Sequence, residues 1–435
     1  MDEAVTETVT RRRVFYIPGY DPIHPRRYRE LYRKEGAAQA AISGYDIALR
    51  PRTGAGPYGW HVVAEMDGTQ VEAEFEVMVW SDIVRGSMSG SIPATYLQLV
   101  RTAWTYIASG TLRRLMWLRK GPVIAALYPV GMLLLQLLLS ILAGWAVSAL
   151  VAAGLFALAE LAADGLRAAF GAGRAADVVF FWLVIAGQAV AWAVWPVVTV
   201  LALRWFKRMD GTFFAYYLMH DYSYSARWNG ANPPPLEARM AQFADQIAAA
   251  LGDDVEEVLV VGHSSGAHLG VSILADLIRD GRVRAGGPAL GFLTLGQVVP
   301  MVSFLPAATR LRGDLAYLST RDELAWIDVT APGDGCAFAL CDPVAVSGVA
   351  SAASKWPLVI SAAFTQTLAP ERWSELRWRF FRLHFQYLCA FDRPRDYDYF
   401  RVTAGRLTLR DRFAGRAPSR SRIDVAASKY TDIAA

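Results

Sequence analysis

The stretch VEEVLVVGHSSGAHLGVSILADLIRD, residues 255–280, decides the fold. The run LVV is short and β-branched, which is typical of a buried parallel strand. The run AHLGVSILADLI carries apolar residues at helical spacing. Between them lies G-H-S-S-G, a G-x-S-x-G pattern with Ser264 at its centre. Small residues at Gly262 and Gly266 let a strand and a helix approach closely, so the stretch predicts a strand, a strained turn and a helix.

Ser264 has two interpretations. In the first it is a nucleophile whose hydroxyl is exposed by the turn, and in the second it is one serine in a tight structural turn. A chain of this composition contains roughly 0.1 copies of the bare pattern by chance, so the pattern alone is weak. The strand before it and the helix after it favour the nucleophile.

Composition excludes several classes of protein. The chain has 435 residues, a net charge of +4 and three cysteines. This length fits one large domain with an insertion, or two domains. The basic residues are dispersed or flank apolar segments, so no nucleic-acid partner is expected. The cysteines do not form an even framework, and no C-x-x-C pair or H-E-x-x-H motif occurs, so we expect neither disulfides nor a metal or other cofactor.

Two long apolar segments occupy the middle of the chain. Residues 121–165 carry almost no charge, and residues 178–203 carry none. A membrane span needs about 20 apolar residues. The second segment predicts one span, and the first predicts one long helix, bent near Pro129 or Gly144. The alternative is a buried helical hairpin in a soluble core, which is disfavoured because such long uncharged stretches are rare in soluble folds.

The flanking charges predict the orientation of this hairpin. The loop at 160–177 is near neutral. Basic residues cluster outside the pair of segments at Arg113, Arg114, Arg119, Lys120, Arg204, Lys207 and Arg208. Because positive charge stays on the cytoplasmic side, we expect a two-span membrane protein whose termini and soluble part are cytoplasmic.

Strand-like and helical segments alternate on both sides of the insertion. In the N-terminal part a strand at 14–17 precedes a helix that starts near Pro25. Further strand-like runs lie at 45–51, 58–66 and 71–80, and the first two predict a hairpin across RTGAGP at 52–57. This alternation predicts an α/β fold with a mostly parallel sheet flanked by helices, and with a two-helix transmembrane insertion.

The domain organisation follows from these segments. We expect residues 14–120 and 208–410 to form the two parts of one α/β domain, separated by the transmembrane hairpin at 121–207. Residues 411–435 are rich in Arg, Ser and Ala, and this composition predicts a poorly ordered tail.

Candidate site residues follow from the sheet. In parallel sheets an active site forms outside the carboxyl ends of the strands, so the turn after Ile17, the turn at Ser264 and the loop after Ile327 should meet. A serine needs a base to become a nucleophile, and an acid to orient that base. The histidines that can line this site are His24, His220 and His384. His263 and His268 fit turn and packing roles, and His61 lies in a middle strand that is not linked to the site. The candidate acids are Asp328, Asp334 and Asp342.

The motifs PGYDP at 18–22, GHSSGAH at 262–268 and APGDG at 331–335, with a late histidine, resemble the α/β-hydrolase superfamily in its lipase and esterase branch. The resemblance covers roughly residues 14–80 and 210–400, and its most specific part is the turn at Ser264. The sequence departs from the common pattern in its early hairpin strands and in the membrane insertion.

The resemblance implies roles for individual residues. Its chain order of serine, acid and histidine is satisfied only by His384. It favours Asp334, directly after a strand, as the acid, with Asp342 second. It implies an oxyanion hole made by the backbone N–H groups of Ser265 and Tyr20.

The activity implied by the resemblance is hydrolysis of an ester or thioester through an acyl-serine intermediate. A membrane tether beside the site favours an apolar acyl substrate, such as a lipid ester. The same residues would also support acyl transfer to an acceptor other than water. The alternative from another class is a catalytically silent, hydrolase-like membrane scaffold or partner-binding protein.

Overall fold

Strand β5, Glu257–His263, lies near the middle of an eight-stranded sheet, as the apolar run before Ser264 predicts. The computed structural model describes residues 8–52, 57–88, 90–171 and 173–433. The strands in chain order are β1 (Arg11–Ile17), β2 (Asp46–Pro51), β3 (Gly59–Met66), β4 (Thr69–Val77), β5, β6 (Ala289–Leu295), β7 (Leu324–Thr330) and β8 (Leu358–Ser361).

The strand order across the sheet is β2-β3-β4-β1-β5-β6-β7-β8. Neighbours from β4 to β8 run parallel, and β2 and β3 form an antiparallel edge next to β4. This confirms the predicted mostly parallel α/β sheet. The predicted hairpin between β2 and β3 is also present, although residues 53–56 of its turn lie outside the described residues.

The parallel register brings the carboxyl ends of the central strands to one edge of the sheet. Ile17 is paired with Gly262, and His263 is paired with Leu295. Leu295 is in turn paired with Val329. The loops that follow β1, β5, β6 and β7 therefore leave the sheet side by side, where ligands bind in sheets of this kind.

Strand β1 begins three residues earlier than the sequence predicts, at Arg11. The reason is a buried ion pair, because Arg12 Nε lies 2.5 Å from Glu257 Oε2. The other guanidinium nitrogens of Arg12 donate to the backbone carbonyls of Gly405 at 2.8 Å and Leu407 at 2.7 Å. A charged side chain thus extends the buried strand because each of its nitrogens has a partner.

Helices flank the sheet within the larger of two compact units, which comprises residues 8–88, 100–126 and 221–433 among those described. The helix that follows Ser264 packs against β5, against the helix that precedes β5 and against the helix that precedes β7. The helices are α1 (Arg26–Ser43), α2 (Ser81–Ser87), α3 (Ile92–Ala108), α4 (Thr111–Leu118), α5 (Lys120–Phe170), α6 (Gly173–Arg208), α7 (Asp210–Phe213), α8 (Ala215–Arg227), α9 (Pro234–Ala250), α10 (Gly266–Arg279), α11 (Val299–Ser303), α12 (Thr309–Leu318), α13 (Pro343–Val346), α14 (Phe364–Thr367), α15 (Pro370–Leu376), α16 (Phe380–His384), α17 (Tyr399–Ala404) and α18 (Leu409–Arg412).

The smaller unit, residues 90–99 and 127–220 among those described, contains most of the two longest helices, α5 and α6. These helices are long and apolar enough to cross a membrane, and only 6% and 11% of their most apolar windows are buried. Small residues let them pack closely: a Cβ on Gly144 would lie 2.4 Å from Thr199 Oγ1, and one on Gly187 would lie 3.1 Å from Leu155 Cβ. Close packing through small residues is characteristic of helices in lipid.

The segment at 160–177, which the sequence presents as a loop, is almost entirely helical. Helix α5 continues to Phe170 and α6 begins at Gly173, and residue 172 lies outside the described residues. The alanine-rich sequence explains this, because alanine and leucine are strong helix formers. Arg167 pairs with Asp164 at 2.9 Å and with Asp177 at 2.6 Å, which joins the ends of the two helices.

The C-terminal segment differs from the poorly ordered tail that its composition predicts. Ile423 forms a backbone bridge with Cys341 and accepts a hydrogen bond from the N–H of Asp342 at 2.9 Å. Asp432 accepts a hydrogen bond from the fully buried Arg312 at 3.0 Å. These contacts hold residues up to 432 against the larger unit.

Gly266→Ala tests the contact between α10 and β1. The added Cβ would lie 2.1 Å from the backbone oxygen of Ile17, which neither element can relieve by a side-chain rotation. We expect a loss of at least about 3 kcal/mol in the free energy of unfolding, or failure to fold. Denaturant unfolding of the full chain in detergent measures it.

The matched control is Gly86→Ala, in helix α2, where an added Cβ meets no atom within 4 Å. Alanine there should be neutral or stabilising by up to about 1 kcal/mol because it favours helix. Equal stabilities of the two variants would contradict the packing at Gly266.

Candidate functional site

Ser264 lies at a strained turn between β5 and α10. Its φ is +57°, in the left-handed region that costs a non-glycine residue about 1–3 kcal/mol. Two backbone hydrogen bonds hold it there: its N–H donates to Leu295 O at 2.9 Å, and its carbonyl accepts from Ala267 N at 3.1 Å. The predicted strand, strained turn and helix are therefore present around Ser264.

Glycines allow three backbones to meet at this turn. A Cβ on Gly262 would lie 2.8 Å from Ala267 Cα, and one on Gly19 would lie 3.0 Å from Ser264 Cβ. The loop after β1 therefore lies directly against the serine. Strain at one residue, held by close packing on both sides, is typical of functional sites.

A buried carboxylate and a histidine form the second part of the site. Asp334 follows β7, and its Oδ2 lies 2.7 Å from His384 Nδ1. The same oxygen accepts a hydrogen bond from Tyr387 Oη at 3.0 Å, and Oδ1 accepts one from Cys336 N at 2.8 Å. The structure thus brings together the predicted acid and the predicted base.

These contacts keep the Asp334 carboxyl ionised. Burial alone would raise its pKa, but the charge of His384 and the hydrogen bonds from His384, Cys336 and Tyr387 together hold that pKa below the ordinary value. An ionised Asp334 accepts from Nδ1–H of His384, so Nε2 is the ring nitrogen that is left to exchange a proton with a ligand.

His263 holds the backbone of His384 in place. Its Nε2 lies 3.0 Å from the carbonyl oxygen of His384, and its Nδ1 lies 3.2 Å from Tyr16 Oη. Burial, followed by the charge of His384, lowers the pKa of His263 to about 3, so the ring is neutral. Because a carbonyl can only accept, Nε2 of His263 donates and Nδ1 accepts from Tyr16. A residue that the sequence assigns to a turn role therefore positions His384, the predicted base.

The end of β6 places His384 near the serine. A Cβ on Gly296 would lie 3.0 Å from His384 Cε1, and the preceding residue, Leu295, accepts the hydrogen bond from Ser264 N. In the described part of the chain no hydrogen bond joins Ser264 Oγ to His384. Such bonds are often long without substrate and shorten when it binds.

The two residues predicted for the oxyanion hole flank Ser264. Ser265 precedes α10 and so presents its N–H at the start of that helix. Tyr20 lies in the loop that contacts Ser264 through Gly19. The Tyr20 hydroxyl lies 2.6 Å from Ser87 Oγ, and the Tyr20 ring contacts Trp80 edge-on. Trp80 Nε1 also donates to the carbonyl of Pro18 at 3.0 Å, which fixes the backbone of this loop. The oxyanion role itself stays a prediction.

The other two candidate acids are engaged elsewhere. Asp342 caps helix α13 by accepting from Val344 N at 3.0 Å and Ala345 N at 3.1 Å. Asp328 is buried within β7 and accepts from Thr294 Oγ1 at 2.6 Å. Among these three acids, and within the described residues, only Asp334 bonds a histidine.

The remaining histidines also have other surroundings. His24 accepts from the N–H of Arg26 at 3.2 Å, and His61 lies 3.9 Å from Glu72. His268 is buried in α10, and burial lowers its pKa to about 4. His220 belongs to the smaller unit. His384 is bonded to Asp334 beside the turn, as the predicted pairing requires.

Asp334, Cys336 and His384 present possible metal ligands within 4.8 Å of one another. Their hydrogen bonds do not fit a metal, because His384 Nδ1 and Asp334 Oδ2 are bonded to each other. Burial, together with the charges of Asp334 and Asp221, raises the pKa of Cys336 well above its ordinary value, which disfavours the thiolate that metals bind. The three residues fit a hydrogen-bonded group better than a metal centre.

Comparison of the chain with protein-family models finds no match, and comparisons with curated proteins and with solved structures find none either.

Asp221, in α8, is a second acid near the base, and the sequence analysis missed it. It is partly buried, and its charge acts on His384, Tyr20 and Cys336. Burial raises the pKa of Asp221 from 3.8 to about 7, and the charge of His384 opposes that rise. No motif marks this residue, because it follows the long apolar segments and reaches the site only through the fold.

Asp221→Asn tests this burial. The folded protein holds the Asp221 proton more tightly than the unfolded chain does, so the stability that Asp221 contributes falls as pH rises from about 4 to about 7. The amide cannot ionise, so the variant should escape this loss. We expect a higher melting temperature for Asp221→Asn than for wild type at pH 8, and a smaller difference at pH 5, in thermal unfolding of the detergent-solubilised chain.

Asp245→Asn is the control, because this exposed aspartate pairs with Arg282 on the surface. The melting temperature of Asp245→Asn should not rise relative to that of wild type as the pH increases. A melting temperature of Asp221→Asn equal to or below wild type at pH 8 would contradict the burial of a neutral carboxyl.

Proposed function

We propose that this chain is a membrane-anchored serine hydrolase of the α/β-hydrolase type, which cleaves an acyl ester through an acyl-serine intermediate. The observation that carries the proposal is the buried Asp334–His384 pair beside the strained turn of Ser264. A nucleophile, a base and an orienting acid at one sheet edge are the parts that acyl transfer needs.

The order of the parts along the sheet supports this assignment. The serine follows β5, the acid follows β7, and the histidine follows β8 in the chain. The loop expected to supply an oxyanion donor follows β1, which is the neighbour of β5. This arrangement agrees with the chain order and loop placement of α/β-hydrolases. The strands β2 and β3 lie after β1 in the chain and pair at the far edge, away from the site.

The proposed reaction has two steps. Ser264 Oγ attacks the acyl carbonyl as its proton passes to His384 Nε2, and the N–H groups of Ser265 and Tyr20 stabilise the oxyanion. The ester C–O bond then breaks, and the leaving oxygen takes the proton from His384. Water repeats the sequence in the second step, releasing the acid and free Ser264. Asp334 stays ionised throughout and stabilises the imidazolium.

The substrate class is proposed from the apolar character of the anchor. Helices α5 and α6 expose large apolar side chains along their length, including Trp145, Phe181 and Trp192. Exposure of this kind supports insertion in lipid and argues against a buried hairpin in a soluble core. A hydrolase held at a bilayer meets apolar acyl esters, such as lipid esters, at high local concentration. The same chemistry would cleave esters and thioesters, and it would also transfer the acyl group to acceptors other than water.

The length of α5 limits how the anchor sits in a bilayer. Its 51 residues extend about 76 Å, against about 30 Å for the hydrocarbon core of a membrane. The helix therefore continues outside the apolar layer. We propose that the turn near residue 171 lies on the side opposite to the termini and the catalytic part, because the basic clusters flank the outer ends.

A catalytically silent membrane scaffold is the second candidate. The absence of a hydrogen bond between Ser264 Oγ and His384, in the part of the chain that the structure describes, favours it. The same gap fits an enzyme without substrate, so labelling of the serine separates the two.

The catalytic prediction uses a fluorophosphonate probe and acyl esters of graded chain length. Wild type in membranes should be labelled at Ser264 and hydrolyse the esters. Ser264→Ala and His384→Ala should each lower kcat/KM by about a thousandfold or more, and the double variant little further, because the residues act as one unit. Asp334→Asn should also cost about a thousandfold because the amide favours the wrong tautomer of His384.

Asp342→Asn is the matched control for Asp334→Asn. Asparagine also caps helices well, so this variant should keep both its fold and its activity. If the probe does not label folded wild type, the enzyme hypothesis is wrong and the scaffold hypothesis is favoured. Full activity of Ser264→Ala would remove the mechanism.

The topology prediction uses Ala169→Cys, an exposed position at the end of α5. In intact expressing cells the new thiol should react with an impermeant maleimide, because it lies across the membrane from the catalytic part. Wild type, whose cysteines are Cys336, Cys341 and Cys389, should react only after permeabilisation. The reverse pattern of labelling would overturn the proposed orientation.

A further inference from the structure

A cavity lies on the larger unit, and no residue of the candidate active site lines it. Its volume is about 720 Å³, within the range of about 300–1,000 Å³ that is usual for small-molecule sites. Its walls come from the end of α1, the segment 394–398 and the region of α17 and α18. The charged residues that line it are Arg395, Asp396, Asp398, Arg401, Arg412 and Arg416, so four positive charges face two negative ones.

Arg412 has no partner in this cavity. Its Nε is buried without a hydrogen bond, and no nitrogen of its guanidinium bonds any other residue in the part of the chain that the structure describes. The group is seated against Gly405, where a Cβ would lie 2.8 Å from its Nη2. Burial, with the nearby charge of Arg12, lowers the pKa of Arg412 to about 10, so the group stays protonated at neutral pH.

The neighbouring Arg12 shows how this fold satisfies a buried arginine. Its guanidinium meets the carboxylate of Glu257 at 2.5 Å and the carbonyls of Gly405 and Leu407. Arg412 is close enough for the two positive charges to oppose each other, yet it has none of these contacts. Arg412 is partly buried, and a desolvated donor such as its Nε is costly without a partner, which a bound anion can supply.

The other cavity arginines are already engaged. Arg401 donates to Asp67 at 2.9 Å, and Arg395 donates to Gln366 at 2.6 Å. Arg416 donates to Asp396 at 2.7 Å, which uses one of the two carboxylates in the wall. Arg395 meets only a neutral amide and is exposed, so Arg412 is the cavity arginine that lacks a hydrogen bond in the described part of the chain.

The second carboxylate in the wall is also used by the protein. Asp398 accepts from the N–H of Phe400 at 2.9 Å and of Arg401 at 3.2 Å, so it caps the start of α17. It accepts a further hydrogen bond from Tyr45 Oη at 3.2 Å. The charge of Asp398 acts favourably on Arg412, but no hydrogen bond joins the two side chains in the described part of the chain.

We propose that this cavity binds a phosphate-bearing small molecule, with a phosphoryl group paired to the guanidinium of Arg412. The planar fork of arginine donors matches phosphate oxygens in two parallel hydrogen bonds, which a point charge such as lysine cannot reproduce. The volume exceeds what a single phosphate needs, so the site has room for a diphosphate or a phosphomonoester. The proposal shares no residue with the hydrolase site and does not depend on it.

The test is calorimetric titration of the full chain in detergent with pyrophosphate and with orthophosphate. Wild type should bind pyrophosphate saturably at one site, more tightly than orthophosphate. Arg412→Met should weaken pyrophosphate binding by about tenfold or more, because a charge-assisted bidentate contact is lost. The melting temperature of Arg412→Met without anion should equal or exceed that of wild type, since the substitution removes a buried donor, Nε, that has no partner.

Three further variants keep the result interpretable. Arg406→Gln removes an exposed arginine close in sequence that does not line the cavity, and it should bind pyrophosphate like wild type. Arg412→Lys keeps the charge and loses the fork, so it should bind more weakly than wild type and serves if the methionine variant unfolds. Ser264→Ala should bind as wild type does, which separates this site from the hydrolase proposal.

A parallel arm with phosphatidic acid vesicles identifies the source of the phosphate. Arg412-dependent binding to pyrophosphate alone indicates a soluble ligand, and Arg412-dependent binding to the vesicles alone indicates a lipid headgroup. Equal responses of wild type and both Arg412 variants in both arms would overturn the proposal, as would no binding by wild type in either arm. A melting temperature that falls in Arg412→Met, with unchanged affinity, would assign the arginine a purely structural role.

Discussion

The close approach of three backbones at the start of α10 is the constraint on which the rest of the structure depends. A Cβ on Gly266 would lie 2.1 Å from the oxygen of Ile17, so only glycine lets the helix begin there. The same approach holds Ser264 in the left-handed region, between the ends of two parallel strands. This turn places the Ser264 hydroxyl at the sheet edge where the loops that carry Asp334 and His384 also lie. The Asp334–His384 pair is therefore relevant to Ser264 only because of the turn.

The sequence alone predicted the elements whose information is local. The apolar run before Ser264, the glycines around it and the helical spacing after it are all contained in one short stretch, and the parallel sheet follows from the alternation of such stretches. The choice of Asp334 over Asp342 was also accessible, because its loop directly follows a strand, whereas Asp342 precedes a proline and caps a short helix. The chemical roles of these residues remain predictions.

What the sequence did not reveal depends on partners far away along the chain. Arg12 looks like a surface residue until Glu257 is placed beside it in the sheet. His263 becomes a positioning residue only through Tyr16 and the carbonyl of His384, and Asp221 reaches the site through helix α8. The C-terminal segment likewise has a composition typical of disorder, but its backbone finds partners on the larger unit. Composition and periodicity describe local segments, so they do not predict any of these long-range pairings.

The position of β1 in the sheet has a consequence for how the chain is made. β1 pairs with β4 on one side and with β5 on the other, but β5 follows both long apolar helices in the chain. During synthesis one edge of β1 therefore stays open while the two most apolar segments leave the ribosome. Open strand edges and exposed apolar surface both favour aggregation. The order of translation itself thus becomes a folding hazard, which the nascent chain escapes only when residues 257–263 close the sheet.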